Sequence, residues 1–101
     1  MIILNITTKI TWDVHEQWKE WLINEHLPQI LETQLFDRYQ FVHLIEMDDD
    51  DGPTYALQLY SSSSDLLDDY RSRHIHRFEK KERELWGDKF VSFQSVMRVI
   101  N

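Results

Sequence analysis

Four segments of this 101-residue chain alternate like strands and two repeat like amphipathic helices, in an order that leaves few folds open. Ile2–Ile10 places Ile2, Leu4, Ile6, Thr8 and Ile10 on one face and Ile3, Asn5, Thr7 and Lys9 on the other, which predicts a strand. Asp13 can cap a helix that begins just after it. At about 100° per residue Val14, Trp18, Trp21 and Leu22 share one stripe, predicting that helix over roughly 13–33. Pro28 lacks a backbone donor and crowds the preceding turn, so a kink or break is expected near Leu27. Leu35–Met47, rich in Tyr, Phe, Val and Ile, predicts a long strand. The cluster Asp48–Pro53 supplies a turn and Thr54–Ser61 the returning strand, so the two form a hairpin.

Ser62 followed by Asp65 resembles a capping box. A second helix is predicted over about 65–85, with Leu67, Tyr70, His74, Phe78 and Leu85 on its apolar stripe, ending at Gly87. Lys89–Ile100 alternates again as the last strand. The order βαββαβ is the ferredoxin-like pattern: an α+β domain over 1–101, with a four-stranded antiparallel sheet and two helices on one face. A sheet packed on one side only should be polar on the other. Here both faces are apolar: Ile2 and Leu4 stand against Ile3, Phe41 and Ile45 against Val42 and Leu44, Phe93 and Met97 against Val96 and Ile100. The economical cover for the second face is another copy of the chain, which predicts a homodimer packed sheet to sheet about a two-fold axis.

Composition closes off several alternatives. With 42% hydrophobic residues, four Trp, two Gly and two Pro, the chain suits one compact core rather than disorder. The absence of cysteine excludes disulfides, thiolate zinc sites, iron–sulfur clusters and a thiol nucleophile, and suits a reducing cytoplasm. Met1–Ile6 has no basic segment before it and no small-residue cleavage site after it, so no signal peptide is expected. No apolar run approaches the roughly 20 residues that span a bilayer. The formal net charge of −7 argues against nucleic acid or an anionic membrane as partner. That charge is local: residues 48–69 hold seven aspartates and no base, and the remainder is formally neutral.

The start Met1-Ile-Ile-Leu-Asn-Ile-Thr7, the segment Trp18-x-x-Trp21 with Glu25-His26-Leu27-Pro28 after it, the strand Thr54-Tyr-Ala-Leu-Gln58 and the ending Trp86-Gly-Asp-Lys-Phe-Val-Ser-Phe93 together resemble a small bacterial family, domain of unknown function 4286. The resemblance spans nearly the whole chain, with Trp86-Gly87 where the family usually has Phe-Gly. It implies a dimeric α+β barrel, in a superfamily that includes cofactor-independent quinol monooxygenases, haem-degrading monooxygenases and stress-responsive barrels. It implies no particular activity.

Among candidate site residues, Glu25 and His26 stand out. On a regular helix Glu25 falls in the stripe of Trp18, Trp21 and Leu22, where an unpaired carboxylate is costly. Either it is paired or the helix begins to unwind before Pro28. The functional alternative is a general base with a raised pKa, or a proton shuttle at His26, at the mouth of a cavity. His74, at the centre of the second apolar stripe, is a core histidine or, if it acts, a proton carrier or haem ligand. Asn5 would face the dimer interior, as a polar group in an apolar pocket or as an interface hydrogen bond. Trp18 and Trp21 are candidates for lining a ligand pocket, and Arg38 for an anionic ligand or a salt bridge.

No metal is expected. The histidines lack ligand spacing, and the Asp48–Asp51 run fails as a calcium loop because Gln58 stands where a bidentate Glu is required. No cofactor is expected either, and no P-loop, dinucleotide glycine pattern or nucleophile elbow occurs. The basic residues at 71–83 scatter around the helix with Glu79, Glu82 and Glu84 among them. Three functions stay open: binding of a small apolar or aromatic ligand, catalysis of the cofactor-independent monooxygenase or isomerase type, or assembly without a ligand.

Overall fold

The structure is a computed structural model that describes all residues, Met1–Asn101. Strand β1 (Ile2–Ile10) leads through a 3-10 turn (Trp12–Val14) into α1 (His15–Trp21), a π-turn (Leu22–His26) and α2 (Leu27–Leu31). Strands β2 (Arg38–His43) and β3 (Thr54–Ser61) come next, then α3 (Ser64–Arg73), α4 (Ile75–Trp86) and β4 (Phe90–Arg98). The strands form one antiparallel sheet in the order β2-β3-β1-β4.

Register decides which side chains meet. Leu4 pairs with Leu59 and Val96, and Ile6 with Leu57 and Gln94, so the even positions of β1 share a face with Phe41 of β2. On that face Leu4, Ile10 and Leu59 are fully buried in one cluster with Trp18, Leu22, Ile30, Tyr70 and Phe78 from the helical segments. The opposite face carries Ile3, Val42, Val91, Phe93 and Met97 about a row of amides and a hydroxyl, Gln40, Gln58, Asn5 and Ser95. Val91 and Phe93 are 73% and 63% exposed there.

Several local expectations need correction. Asp13 caps nothing: it lies inside the 3-10 turn and holds Lys89, with Oδ2 2.8 Å from Nζ. Ser63, not Ser62, caps α3, its hydroxyl accepting from the Leu66 amide at 3.3 Å. The long strand over Leu35–Met47 shrinks to Arg38–His43. Leu35 and Phe36 are buried ahead of it, after a left-handed turn at Gln34 (φ 63°), while Ile45 is 83% exposed beyond it. The second helix divides at His74 (φ −122°), whose Nδ1 takes a hydrogen bond from Arg77 Nη2 at 3.0 Å. The last strand is Phe90–Arg98, two residues short of Ile100 at its end and one short at its start.

Pro28 acts differently from a simple kink. The Leu27 amide donates to the Leu22 carbonyl five residues back, so the helix widens by one residue before the proline instead of breaking. Pro28 then occupies the first turn of α2, where its missing donor costs little. The extra residue rotates the chain so that His26, five residues after Trp21, stacks on that indole with ring centroids 4.4 Å apart. Glu25 is turned out to solvent.

Candidate functional site

Between the inner sheet face and the helices lies a cavity of about 520 Å³. Its walls are aromatic: Trp18, Phe41, Tyr55, Tyr70, Phe78 and Phe90 all reach it. Two titratable side chains stand at its helical side, His26 buried and Glu82 nearly so. The π-turn presents His26 between Trp21 and Phe78, and α4 presents Glu82 opposite, with Nε2 and Oε2 4.0 Å apart. Their side chains are only 7% and 13% exposed.

At 4.0 Å the two do not hydrogen-bond, so neither recovers the solvation it lost. Each is driven toward its neutral form. Burial pushes the His26 imidazole down to about 4, with the Lys81 charge adding to the effect. Burial pushes the Glu82 carboxyl up to about 7; Glu79 reinforces this and the Arg83 guanidinium opposes it. His26 Nδ1 has no partner at all, nor has the indole nitrogen of Trp18, Trp21 or Trp86. Tyr70 is buried too, which raises its phenol above the ordinary value. At neutral pH the site therefore holds an uncharged imidazole beside a carboxyl near half-ionisation, a pair able to accept, donate or pass a proton.

The residues singled out in the sequence scatter around this site. His26 and Trp18 line the cavity, and Trp21 packs behind His26 without reaching it. Glu25 is exposed, away from the cavity. His74 is half-buried at the joint between α3 and α4, in a separate polar groove with Arg77 and Lys81. Asn5 is buried on the opposite sheet face, donating to Thr7 Oγ1 at 3.0 Å and Ser95 Oγ at 3.3 Å. Arg38 lies on that same face, its guanidinium 4.3 Å over the Tyr60 ring. Glu82 is not conspicuous in the sequence because it sits in a run of alternating charges. Its signal is its spacing: four residues after Phe78 it falls on the apolar stripe of α4, just as Glu25 falls on the stripe of a regular first helix.

No group of three His, Asp or Glu side chains gathers closely enough to hold a metal ion. No helix is long and apolar enough to cross a membrane.

The fold is similar to that of several solved proteins. A putative antibiotic biosynthesis monooxygenase from Nitrosomonas europaea superposes with a TM-score of 0.69 at 11% identity, covering 100% of both chains. SnoaB, a cofactor-independent oxygenase from Streptomyces nogalater, gives 0.67 at 10% identity, covering 99% of this chain and 94% of that one. A dimeric ferredoxin-like protein from an uncultured marine organism gives 0.65 at 7% identity, covering 99% and 96%. At such identities the likeness is one of fold. No curated protein matches the sequence. Across residues 1–100 the chain matches the family described as a domain of unknown function, DUF4286, and it belongs to that family.

Proposed function

We propose that this chain is a cytoplasmic homodimeric α+β barrel protein that binds one compact, apolar or aromatic molecule between sheet and helices. The observation that carries the reading is the aromatic cavity with His26 and Glu82 buried in its wall and unsatisfied by each other. A wall built only to pack would not keep two polar groups at that cost. In the barrel the βαββαβ unit buries its second face, with Val91, Phe93 and the Asn5 row, against a second copy; the dimeric ferredoxin-like protein similar in fold supports this. Size-exclusion chromatography with light scattering at micromolar concentration is expected to give a dimer. Phe93→Arg, which places a charge in that face, is expected to give a monomer. A monomeric parent chain would overturn the dimer.

Binding is read by quenching of the intrinsic tryptophan fluorescence, to which Trp18 in the cavity wall contributes, on titration with a neutral compact aromatic such as 2-naphthol. Ser92 lines the cavity from the exposed edge strand β4, so Ser92→Phe can obstruct it at the loss of one long hydrogen bond, from the Thr8 hydroxyl at 3.5 Å. That variant is expected to weaken binding by about tenfold or more while stability falls by no more than about 1 kcal/mol. Unchanged affinity in Ser92→Phe would place the ligand elsewhere.

A second reading, catalysis of the cofactor-independent monooxygenase or isomerase type, is favoured by one observation: Glu82 ionises near neutral pH within proton-transfer reach of the cavity. Glu82 would take a proton from an aromatic hydroxyl or activated carbon, and His26 would orient the same group. Glu25 and His74 have no part in this reading. The open cavity speaks against a purely assembling module, in which Trp18 and the phenylalanines would fill that space.

A further inference from the structure

The cavity's charged lining is two carboxylates from α4 with one exposed guanidinium, Arg83, beside them. Glu79 and Glu82 both line it from α4, and neither is paired with a lysine or arginine: Glu79 is in no ion pair, and Glu82 has only the imidazole of His26, 4.0 Å away. Around them stand aromatic rings, whose faces attract a cation as they would not attract an anion. His26, its side chain only 7% exposed, offers Nε2 as an acceptor in the tautomer that carries the proton on Nδ1. A ligand nitrogen about 2.9 Å from both Nε2 and Oε2 spans the 4.0 Å gap and completes both hydrogen bonds.

We propose that the preferred ligand is a protonated amine carrying an aromatic group, its ring among Trp18, Tyr55 and Phe78 and its ammonium held between Glu82 and His26, with Glu79 as the outer countercharge. This rests on the cavity being a ligand site and adds the charge of the ligand. Two cations stand near the pair: Arg83, whose charge acts on Glu82, is exposed, and Lys81, whose charge reaches His26, donates to Gln29 Oε1 at 3.1 Å; Tyr70 on α3 keeps its proton because burial raises its phenol. The strands β1 and β4 contribute only uncharged residues to the cavity. The ammonium binds the carboxylate form of Glu82, so affinity rises with pH until that group is fully ionised.

Isothermal titration calorimetry with 2-phenylethylamine and its neutral isostere 2-phenylethanol separates the possibilities. At about pH 8 the amine is expected to bind at least about tenfold more tightly, as a charge-assisted hydrogen bond predicts. At about pH 5 the ratio is expected to fall below about threefold. Glu82→Gln is expected to bring the amine to the level of the alcohol while the alcohol changes little. Should that variant fail to fold, Glu79→Gln, at the second carboxylate, is expected to reduce the amine preference about threefold. Equal affinities in the parent chain, or a preference that survives both substitutions, overturn the amine assignment while leaving the cavity reading intact. Binding of neither compound, together with no quenching by 2-naphthol, overturns both.

Discussion

At about pH 8 the Glu82→Gln chain is expected to resist urea better than the parent by roughly 3 kcal/mol, and below about pH 4 the two are expected to be equally stable. The carboxyl is 4.5 in the unfolded chain and about 7 in the folded one. A raised carboxyl holds its proton in the folded state after the unfolded state has released it, so its contribution is intact below 4.5 and is lost as the pH rises through 7. His26 does the reverse. Its folded value of about 4 lies below the ordinary 6.5, so its contribution is intact above 6.5 and is lost as the pH falls through 4. Between 4.5 and 6.5 the folded pair keeps one proton on Glu82, whereas the unfolded chain keeps one on His26. The two slopes cancel there, and this pair leaves the parent chain nearly indifferent to pH.

Single substitutions uncover the hidden slopes. Glu82→Gln leaves the imidazole, so its stability declines on acidification below 6.5. His26→Phe, which keeps the stack on Trp21, leaves the carboxyl, and its stability declines as the pH rises above 4.5. Each limb approaches about 1.4 kcal/mol per pH unit, one proton's worth. Urea titrations of the three chains from about pH 4 to pH 8 measure this. Three parallel profiles would mean that neither group is desolvated in the folded protein.

Why the sequence points to Glu25 rather than Glu82 is a matter of helix register. The stripe through Trp18, Trp21 and Leu22 assumes the regular α-helical turn, and up to Leu22 that assumption holds. Pro28 is plain in the sequence, but its consequence can go two ways: a broken helix, or a widened turn ahead of it that absorbs the missing donor. The π-turn is the second outcome, and one inserted residue is enough to exchange Glu25 for His26 at the core. The strand Ile2–Ile10 is legible to the residue because period-two alternation needs no knowledge of partners. The Leu35–Met47 segment is not, because apolar residues that turn inward before a strand look like the strand itself. Glu82 is hidden by its neighbours, since the pattern of charges at 79–84 reads as solvated surface until the opposing layer with His26 is in place.

Gly52→Ala is expected to destabilise the fold by about 3 kcal/mol or more, far beyond the usual cost of a loop glycine. The sequence shows Gly52 only as part of a turn; the structure shows why no side chain can stand there. A Cβ on Gly52 would lie 1.7 Å from the Ile10 carbonyl oxygen and 2.9 Å from Thr11 Cα, backbone atoms at and just past the end of β1. The hairpin tip would have to withdraw. Withdrawal breaks the hydrogen bonds that the Ile10 amide donates to Pro53 O at 3.1 Å and the Trp12 amide donates to Asp51 O at 3.2 Å. It also releases the Trp12 indole from Asp49 O at 2.8 Å and Lys9 from Asp48 O at 3.1 Å. Trp12 stacks edgewise on His15, whose Nε2 lies 2.8 Å from the Tyr55 hydroxyl, so the disturbance runs toward the cavity wall. Gly87→Ala provides the contrast. That residue has φ 57° with ψ −124°, a combination that glycine adopts readily and other residues do not, but it meets nothing within 4 Å, so the expected cost is the conformational one, about 1–2 kcal/mol. Urea denaturation of both variants tests the distinction, and a Gly52→Ala chain no less stable than Gly87→Ala would mean that the hairpin tip does not close on β1.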